Sequence, residues 1–233
     1  MSKTELVKGR NITLLRQQQK LPLWKKVEHS KRLIRQFYSA MDGKVYVSFS
    51  GGKDSTVLLH LVRSVFPDVV AVFSNTTNEY PEILKYVKLF DNIVWIHPEK
   101  TFKQVVKELG FPVISKENVK KITELQNTKS NKLREKRLNG DKKGNGKIPD
   151  TWQKFIIDNP TLNITAKCCD ILKIKPFKKF EKETRLKSFV GTMASESRLR
   201  HQDYIDNGCN IFTNGSEKSR PLSIWTEKDI WDY

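Results

Sequence analysis

Short apolar runs of strand length alternate with helical patterns through the first half of the chain. Three such runs, residues 45–49, 69–73 and 93–96, contain few polar side chains. Largely apolar strands are typical of a parallel sheet that helices cover on both faces, and strand–helix alternation at this pitch indicates βαβ units. The pattern therefore predicts an α/β fold, a three-layer sandwich with a mostly parallel sheet.

The helices follow from apolar residues that recur every three or four positions. The predicted helices cover residues 23–41, 57–65, 81–90, 101–110 and 115 to about 138. Towards the C terminus we expect a strand over 188–193 and a helix over 195–206, and Thr226 with Asp229 forms a weak capping signal. Residues 1–20 are polar and unpatterned, which predicts a loose or packed-on leader.

These patterns divide the chain into an N-terminal helical leader, residues 1–42, and an α/β domain, residues 43–233, that contains a basic helical insertion at 116–160. Within the insertion, residues 129–147 carry eight Lys/Arg against two Asp/Glu. Such a segment is either a solvated, mobile insertion or a basic arm over an anionic ligand or nucleic acid. The sequence stops one turn into its last predicted helix, so we expect either a truncated C terminus or a last turn that packs against the body.

Composition narrows the class of partner. The 233 residues include 43 Lys+Arg and 26 Asp+Glu, a net charge of +17, which favours an anionic partner such as a nucleotide or nucleic acid. No apolar stretch is long enough to span a membrane, and the first twenty residues have no secretory core. The three cysteines, an odd count, fit a reducing compartment. We expect a cytoplasmic protein with no membrane partner.

The most informative segment joins the first strand to the next helix. It comprises Ser50, Gly51, Gly52, Lys53, Asp54 and Ser55. Paired glycines let the backbone approach a ligand closely, and the N–H groups of a helix N terminus attract anions. Lys53 adds a full positive charge and the two serines add hydroxyl donors, while Asp54 either caps the helix or holds Mg²⁺. This combination predicts a phosphate-binding loop at the carboxyl edge of the sheet.

Residues 45–61 (VYVSFSGGKDSTVLLHL) resemble the PP-loop of the adenine nucleotide α-hydrolase superfamily, whose fold is Rossmann-like. Within it, the chain resembles the phosphoadenylyl sulfate (PAPS) reductase family, most of all the PAPS-reductase-like proteins that phages often carry. Four further segments resemble that family in the same order: residues 73–83, 168–176, 191–200 and 220–231. The resemblance covers about residues 43–233.

The resemblance implies a role for each matching residue. Residues 50–55 would hold phosphate, Lys53 being catalytic. The side chains implied near adenine or ribose are Ser74, Asn75 and Thr76. Those implied at the sulfate or distal phosphate are Ser197, Arg198 and Arg200, with Arg198 also catalytic, and Glu196 would orient an arginine. Many family members have an arginine where this chain has Met193, and sulfonucleotide reductases use a cysteine near their C terminus.

Cys168 and Cys169 are the remaining catalytic candidates. Some relatives use such a pair with a later Cys-x-x-Cys to hold an iron–sulfur cluster, so one interpretation is a partial cluster site. A second is two reduced thiols, one of them buried. A third is a reactive thiol whose pKa is lowered by nearby lysines, Lys167, Lys173 and Lys175.

The function predicted first is thiol-dependent reduction of adenylyl sulfate or PAPS, with a thiol or sulfur donor protein as partner. The alternative within the same superfamily is ATP pyrophosphatase or sulfur-transfer chemistry on nucleic acid, for which Mg²⁺ is expected. A third hypothesis is a basic nucleic-acid-binding module, supported by residues 129–147 and by residues 167–187, where eight Lys/Arg face three Asp/Glu.

Overall fold

The structure is a computed structural model that describes residues 3–159, 162–213 and 215–233. The chain forms two compact units. The first contains residues 1–75, 79–96 and 177–233, and the second contains residues 76–78 and 97–176. Among the described residues, no helix has both the length and the apolar character needed to cross a membrane.

The elements follow the predicted alternation. The strands are β1 (Val45–Phe49), β2 (Ala71–Ser74), β3 (Ile93–Ile96), β4 (Lys187–Val190), β5 (Asn210–Ile211) and β6 (Lys218–Ser219). The helices are α1 (Lys3–Gln19), α2 (Leu23–Ala40), α3 (Lys53–Arg63), α4 (Pro81–Val87), α5 (Phe102–Leu109), α6 (Lys116–Asn127), α7 (Asn131–Asn139), α8 (Asp150–Asp158), α9 (Lys175–Thr184), α10 (Arg198–Asn207) and α11 (Glu227–Asp232). A π-helical turn, Asp170–Ile174, precedes α9, and a 3₁₀ turn, Ala194–Glu196, precedes α10.

The strands form one sheet in the order β3-β2-β1-β4-β6-β5, in which only the β5–β6 pair is antiparallel. Helices cover both faces. Phe189, the register partner of Val47, contacts Phe37 of α2 at 5.3 Å between ring centroids. Tyr46 points to the opposite face and contacts Phe177 and Phe180 of α9. The predicted α/β fold with a mostly parallel sheet is confirmed.

The N-terminal segment differs from its description as unpatterned, because most of it is the helix α1. Helix α1 packs against α10. Leu15 is fully buried, Asn11 donates to the carbonyl of Ile205 at 2.8 Å, and Tyr204 donates to Gln18 at 2.7 Å. Few apolar residues make these contacts, so the helix shows little amphipathic pattern in the sequence.

The helix predicted over residues 115–138 is divided in two. The helical conformation ends with α6, and α7 begins after a short turn. The hydroxyl of Ser130 caps α7 by accepting a hydrogen bond from the amide of Leu133. Ser and Thr side chains compete with helical backbone bonds in this way and favour caps over helix interiors. The domain boundaries proposed from the sequence, at 42/43 and at 116–160, stay predictions.

Candidate nucleotide site

The loop after β1 has an internal hydrogen-bond frame. The hydroxyls of Ser50 and Ser55 lie 3.0 Å apart, and Ser55 donates to the carbonyl of Gly52 at 2.9 Å. The amide of Ser50 donates to the Ser55 hydroxyl at 3.2 Å. Both hydroxyls therefore fix the loop that ends at the N terminus of α3, where free backbone N–H groups and the helix dipole favour an anion.

Two glycines permit close backbone approaches around this loop. Gly51 has φ +72°, and a Cβ there would lie 2.9 Å from methyl groups of Ile83 and Val87 in α4. A Cβ on Gly191, directly after β4, would lie 3.0 Å from the carbonyl oxygen of Asp54. The segment after β4 thus lies against the first turn of α3.

The loop occupies the point where the order of strands reverses. β1 pairs with β2 on one side and with β4 on the other, all three parallel. The crossover through α3 leads to β2, whereas β4 is reached only after the second unit. In open α/β sheets, ligands bind outside the carboxyl ends of the strands at such a point. The register also brings Ser74 at the end of β2 to the same edge as Ser50.

Lys53 is the first residue of α3, and carboxylates surround its ammonium group. Its Nζ lies 3.0 Å from Asp54 and 3.5 Å from Glu227 in α11, and 6.0 Å from the ring centroid of Trp231. The hydrogen bond with Asp54 raises the pKa of Lys53, so the side chain carries its charge at neutral pH. Asp54 does not cap α3, because the N-cap residue is Gly52.

The segment after β4 fixes one arginine and exposes another. Glu196 accepts from the amide of Met193 at 2.6 Å and forms an ion pair with Arg200. Ser197 caps α10 by accepting from the amide of Arg200 at 3.2 Å. Arg198 is exposed and has no ion-pair partner in the described part of the chain. Met193, where many relatives have an arginine, is buried in the core.

The residues implied near adenine or ribose lie at and after the end of β2. Ser74 and Thr76 are buried, and the amide of Asn75 donates to the carbonyl of Ile96 at 3.0 Å. Ser74 and Asn75 belong to the first unit with the phosphate loop, and Thr76 belongs to the second.

Cys168 and Cys169 lie in the second unit and are half-buried free thiols. Burial, followed by the neighbouring Cys169, raises the pKa of Cys168, and Lys116 offsets this only in part. The expectation that nearby lysines lower the pKa of this thiol is therefore wrong. Lys167, Lys173 and Lys175 are near Cys168 in sequence, yet none of them is among the causes of this shift, because charge acts through space rather than along the chain.

The donor set for an iron–sulfur cluster does not fit. The sequence has three cysteines, and the third, Cys209, is buried in the other unit, where burial raises its pKa to about 11. Across residues 3–159, 162–213 and 215–233, no three or more His, Cys, Asp or Glu side chains form a group that could hold a metal ion. We therefore derive no step through a cluster.

Glu227 and Trp231 were not identified from the sequence as neighbours of Lys53. They lie 174 and 178 positions further along the chain, and no spacing rule connects them to the loop. The signals in this segment are its resemblance to the family over residues 220–231 and the Thr226–Asp229 cap, which the structure confirms as a capping box at the start of α11.

A strand-edge phosphate loop on a parallel sheet is the arrangement of an α/β nucleotide-binding protein. Residues 44–233 match the family described as the phosphoadenosine phosphosulfate reductase domain. The chain belongs to this PAPS-reductase-like PP-loop family.

Individual relatives are distant. The chain is 24% identical over 206 residues to an adenosine 5′-phosphosulfate reductase of Staphylococcus epidermidis, covering 86% of this chain and 65% of that protein. It is 25% identical over 211 residues to an uncharacterised protein of Methanocaldococcus jannaschii, covering 86% of this chain and 33% of that protein. The chain thus spans between one third and about two thirds of the length of these relatives.

Among solved structures, the chain is similar to the phosphate complex of a phosphoadenylyl-sulfate (PAPS) reductase from Candida auris. The TM-score is 0.48 at 15% identity, and the match covers 100% of this chain and 85% of that one.

Proposed function

We propose that the protein is an enzyme that binds adenylyl sulfate, PAPS or ATP and acts at the phosphate or sulfate end of this nucleotide. The observation that supports the proposal is the geometry between β1 and β4, where the N terminus of α3, the Ser50–Ser55 hydrogen bond and the close approach of Gly191 lie together. Family membership supports a sulfonucleotide as the substrate class.

In this proposal the phosphates lie on residues 50–55 and receive charge from Lys53. Arg198 is available for the sulfate or distal phosphate because it has no ion-pair partner among the described residues, and Glu196 orients Arg200 for the same anion. Guanidinium groups bind tetrahedral oxyanions through paired N–H donors. Ser197 accompanies these arginines, and Ser74, Asn75 and Thr76 would contact adenine or ribose.

The reaction proposed first is reduction of the sulfonucleotide to sulfite. A thiolate attacks the sulfate sulfur, the S–O bond to the nucleotide breaks, and the adenine nucleotide leaves with the electron pair. A second thiol then attacks the sulfur of the first thiol, which now carries the SO₃ group, so that sulfite leaves and a disulfide forms. Fixed N–H donors and Lys53 would stabilise the charge on the leaving phosphate.

Cys168 and Cys169 stay the candidate thiols of this chain, but the raised pKa of Cys168 disfavours its thiolate at neutral pH, so we expect a donor protein to supply the attacking thiolate. Adjacent cysteines form an unfavourable disulfide, so the second thiol is expected from a donor protein. With ATP as substrate, the reaction would release pyrophosphate instead. Mg²⁺ would then be held chiefly by the nucleotide's phosphates, as is usual for this ion.

The test is a product assay with adenylyl sulfate, PAPS and ATP, each supplied with a dithiol and with or without Mg²⁺. We expect sulfite from a sulfonucleotide, a loss of at least tenfold in Lys53→Ala, and no change in Lys228→Ala. The control removes the same charge from a lysine whose ammonium binds Asp232 at 2.6 Å instead of the loop. Pyrophosphate released only from ATP with Mg²⁺ would favour the alternative reaction, and no product from any nucleotide would contradict the proposal.

A second candidate function, binding of nucleic acid, is favoured by the charge of the second unit. Its sequence ranges hold eighteen Lys/Arg and nine Asp/Glu. Within residues 129–147, five cations are exposed without an ion-pair partner among the described residues: Lys129, Lys132, Arg134, Lys142 and Lys143. Arg137 shapes this segment, since it pairs with Glu124 and donates to the carbonyl of Gly146 at 3.0 Å.

Fluorescence anisotropy with a labelled twenty-nucleotide single strand, titrated at several salt concentrations, tests this function. Replacing Lys129, Lys132 and Arg134 by Gln should weaken binding and reduce the slope of log K against log salt, by up to about 0.7 per lost phosphate contact. The control replaces Lys25, Arg35 and Lys44, also exposed, by Gln. Equal effects of both triple variants would mean that net charge, not this segment, attracts the strand.

A further inference from the structure

The C-terminal helix α11 supplies a carboxylate to the lysine of the phosphate loop. Glu227 Oε1 lies 3.5 Å from Lys53 Nζ, and the ring of Trp231, one turn further on, lies 6.0 Å from the same atom. Both side chains are about 70% exposed, so neither is part of the hydrophobic core. The family match accounts for the loop, but it does not assign a role to these two residues.

Other residues of the same segment hold α11 in place. Asp229 forms a buried ion pair with Lys26 of α2 at 2.6 Å and closes the capping box with Thr226. Tyr233 lies 2.8 Å from Nδ1 of His60 in α3 and contacts the ring of Trp225. With the helix fixed on both sides, Glu227 is presented to the loop at a set position.

Two carboxylates therefore share one ammonium group. Asp54 and Glu227 together carry one more negative charge than Lys53 supplies. An anion that binds to the loop can use the charge of Lys53 fully only if one of these carboxylates releases the ammonium group. Asp54 is adjacent in sequence and lies 3.0 Å from the ammonium group, whereas Glu227 lies further away and is more exposed. We therefore expect the Lys53–Glu227 contact to break first.

We propose that Glu227 is a positioning residue that holds Lys53 in the ligand-free protein and is displaced by the phosphate of the ligand, so that it lowers the affinity of the loop for anions. The inference rests on the proposed function, because it requires an anion at residues 50–55. It assigns α11 a direct influence on which anions bind, since a more highly charged ligand gains more from the ammonium group that Glu227 releases.

Calorimetric titration with inorganic pyrophosphate and with AMP tests the proposal on the full chain. Glu227→Gln should bind pyrophosphate about two- to fivefold more tightly than the wild type, the range expected for an exposed charge pair. The gain should be smaller for AMP, which carries less charge. The matched control is Asp232→Asn, which removes the same charge from the same helix but from a carboxylate paired with Lys228.

A double-variant cycle separates positioning from general electrostatics. In a Lys53→Ala background, Glu227→Gln should lose its gain, because there is no ammonium group left to release. Tryptophan fluorescence should also change on pyrophosphate binding, and Trp231→Phe should remove that change, since Lys53 leaves the ring when it moves to the ligand.

The outcomes are distinguishable. No saturable binding of either anion by the wild type would overturn the proposed function and this inference together. Binding by the wild type with equal affinity in Glu227→Gln and Asp232→Asn, or with weaker affinity in Glu227→Gln, would overturn the role of Glu227 and leave the proposed function standing. A gain that persists without Lys53 would also overturn it.

Discussion

At the scale of single residues, the conformation of the predicted phosphate loop depends on two glycines, which have no Cβ atom. Gly51 has a positive φ, and a Cβ at this position would overlap with methyl groups of Ile83 and Val87. Gly52, in contrast, has an extended backbone conformation that any residue can adopt. The glycine pair therefore serves two purposes. Gly51 lets the loop lie against α4, and Gly52, the N-cap residue of α3, places no side chain over the proposed ligand position.

Gly51→Ala should accordingly be far more damaging than Gly52→Ala. We expect about 2–3 kcal/mol of destabilisation from strain and overlap at Gly51, together with loss of nucleotide binding. Gly144→Ala is the second comparison, because Gly144 also has a positive φ of +74° but nothing within 4 Å of its Cβ position, so it should cost about 1 kcal/mol. Urea unfolding measures all three, and equal costs would contradict the proposed overlap with Ile83 and Val87.

The cysteines allow a second prediction at this scale. Burial raises the pKa of Cys168, and it raises the pKa of Cys209 to about 11. Because the thiolate is the reactive form, alkylation by iodoacetamide should be slow at pH 7 and should accelerate as the pH rises above about 9, with Cys209 slowest. Mass spectrometry of each site against pH checks this. Rapid labelling of Cys168 at pH 7 would show instead that this thiol is activated.

At the scale of elements, α11 is the piece whose placement matters most. It has only six residues and cannot be stable alone. Its position depends on the buried pair of Lys26 and Asp229, whose side chains are 3% and 12% exposed. Burial alone would raise the pKa of Asp229, but the hydrogen bonds from Lys26 and Thr226 outweigh it and the pKa is lowered.

Asp229→Asn should therefore destabilise the protein by about 3 kcal/mol at pH 7, because it leaves the ammonium of Lys26 buried without a counter-charge. A lowered folded-state pKa means that the contribution of Asp229 is present above its ordinary pKa and disappears as the pH falls through the folded value. The difference between wild type and variant should shrink below about pH 4. Urea unfolding at several pH values measures it.

Asp232→Asn, which changes an exposed pair on the same helix, should cost less than about 0.5 kcal/mol at every pH. If the cost of Asp229→Asn were as small, or if it did not depend on pH, the buried pair would not be what anchors α11.

The same elements show how far the sequence predicts the structure. The alternation over residues 45–110 was predictable because its strands are apolar and its helix ends carry local signals, such as the capping box of Thr101 and Gln104. β5 and β6 were not, because strands of two residues are defined by their pairing rather than by local composition. Likewise the loop motif was recognisable, but the contact of Glu227 with Lys53 depends on the folded chain.

At the scale of the whole molecule, both the net positive charge and the chemistry of the candidate site favour the binding of anions. A net charge of +17 favours non-specific attraction of anions, so weak binding of a nucleotide is by itself poor support for a specific site. The proposed function is narrower, since it requires one anion site at the carboxyl edge of the sheet. Specificity for that site, and not affinity alone, is what must be measured.

The most direct measurement is a thermal unfolding panel with ATP, AMP, adenylyl sulfate and PAPS, with and without Mg²⁺, on wild type, Lys53→Ala and the charge-matched Lys228→Ala. A ligand at one hundred times its Kd adds about 2.7 kcal/mol, or roughly 5–10 °C in Tm at this size. We predict a shift of this size with a sulfonucleotide that Lys53→Ala abolishes and Lys228→Ala keeps. No shift with any nucleotide, or a shift that both variants reduce equally, would contradict a nucleotide site at residues 50–55.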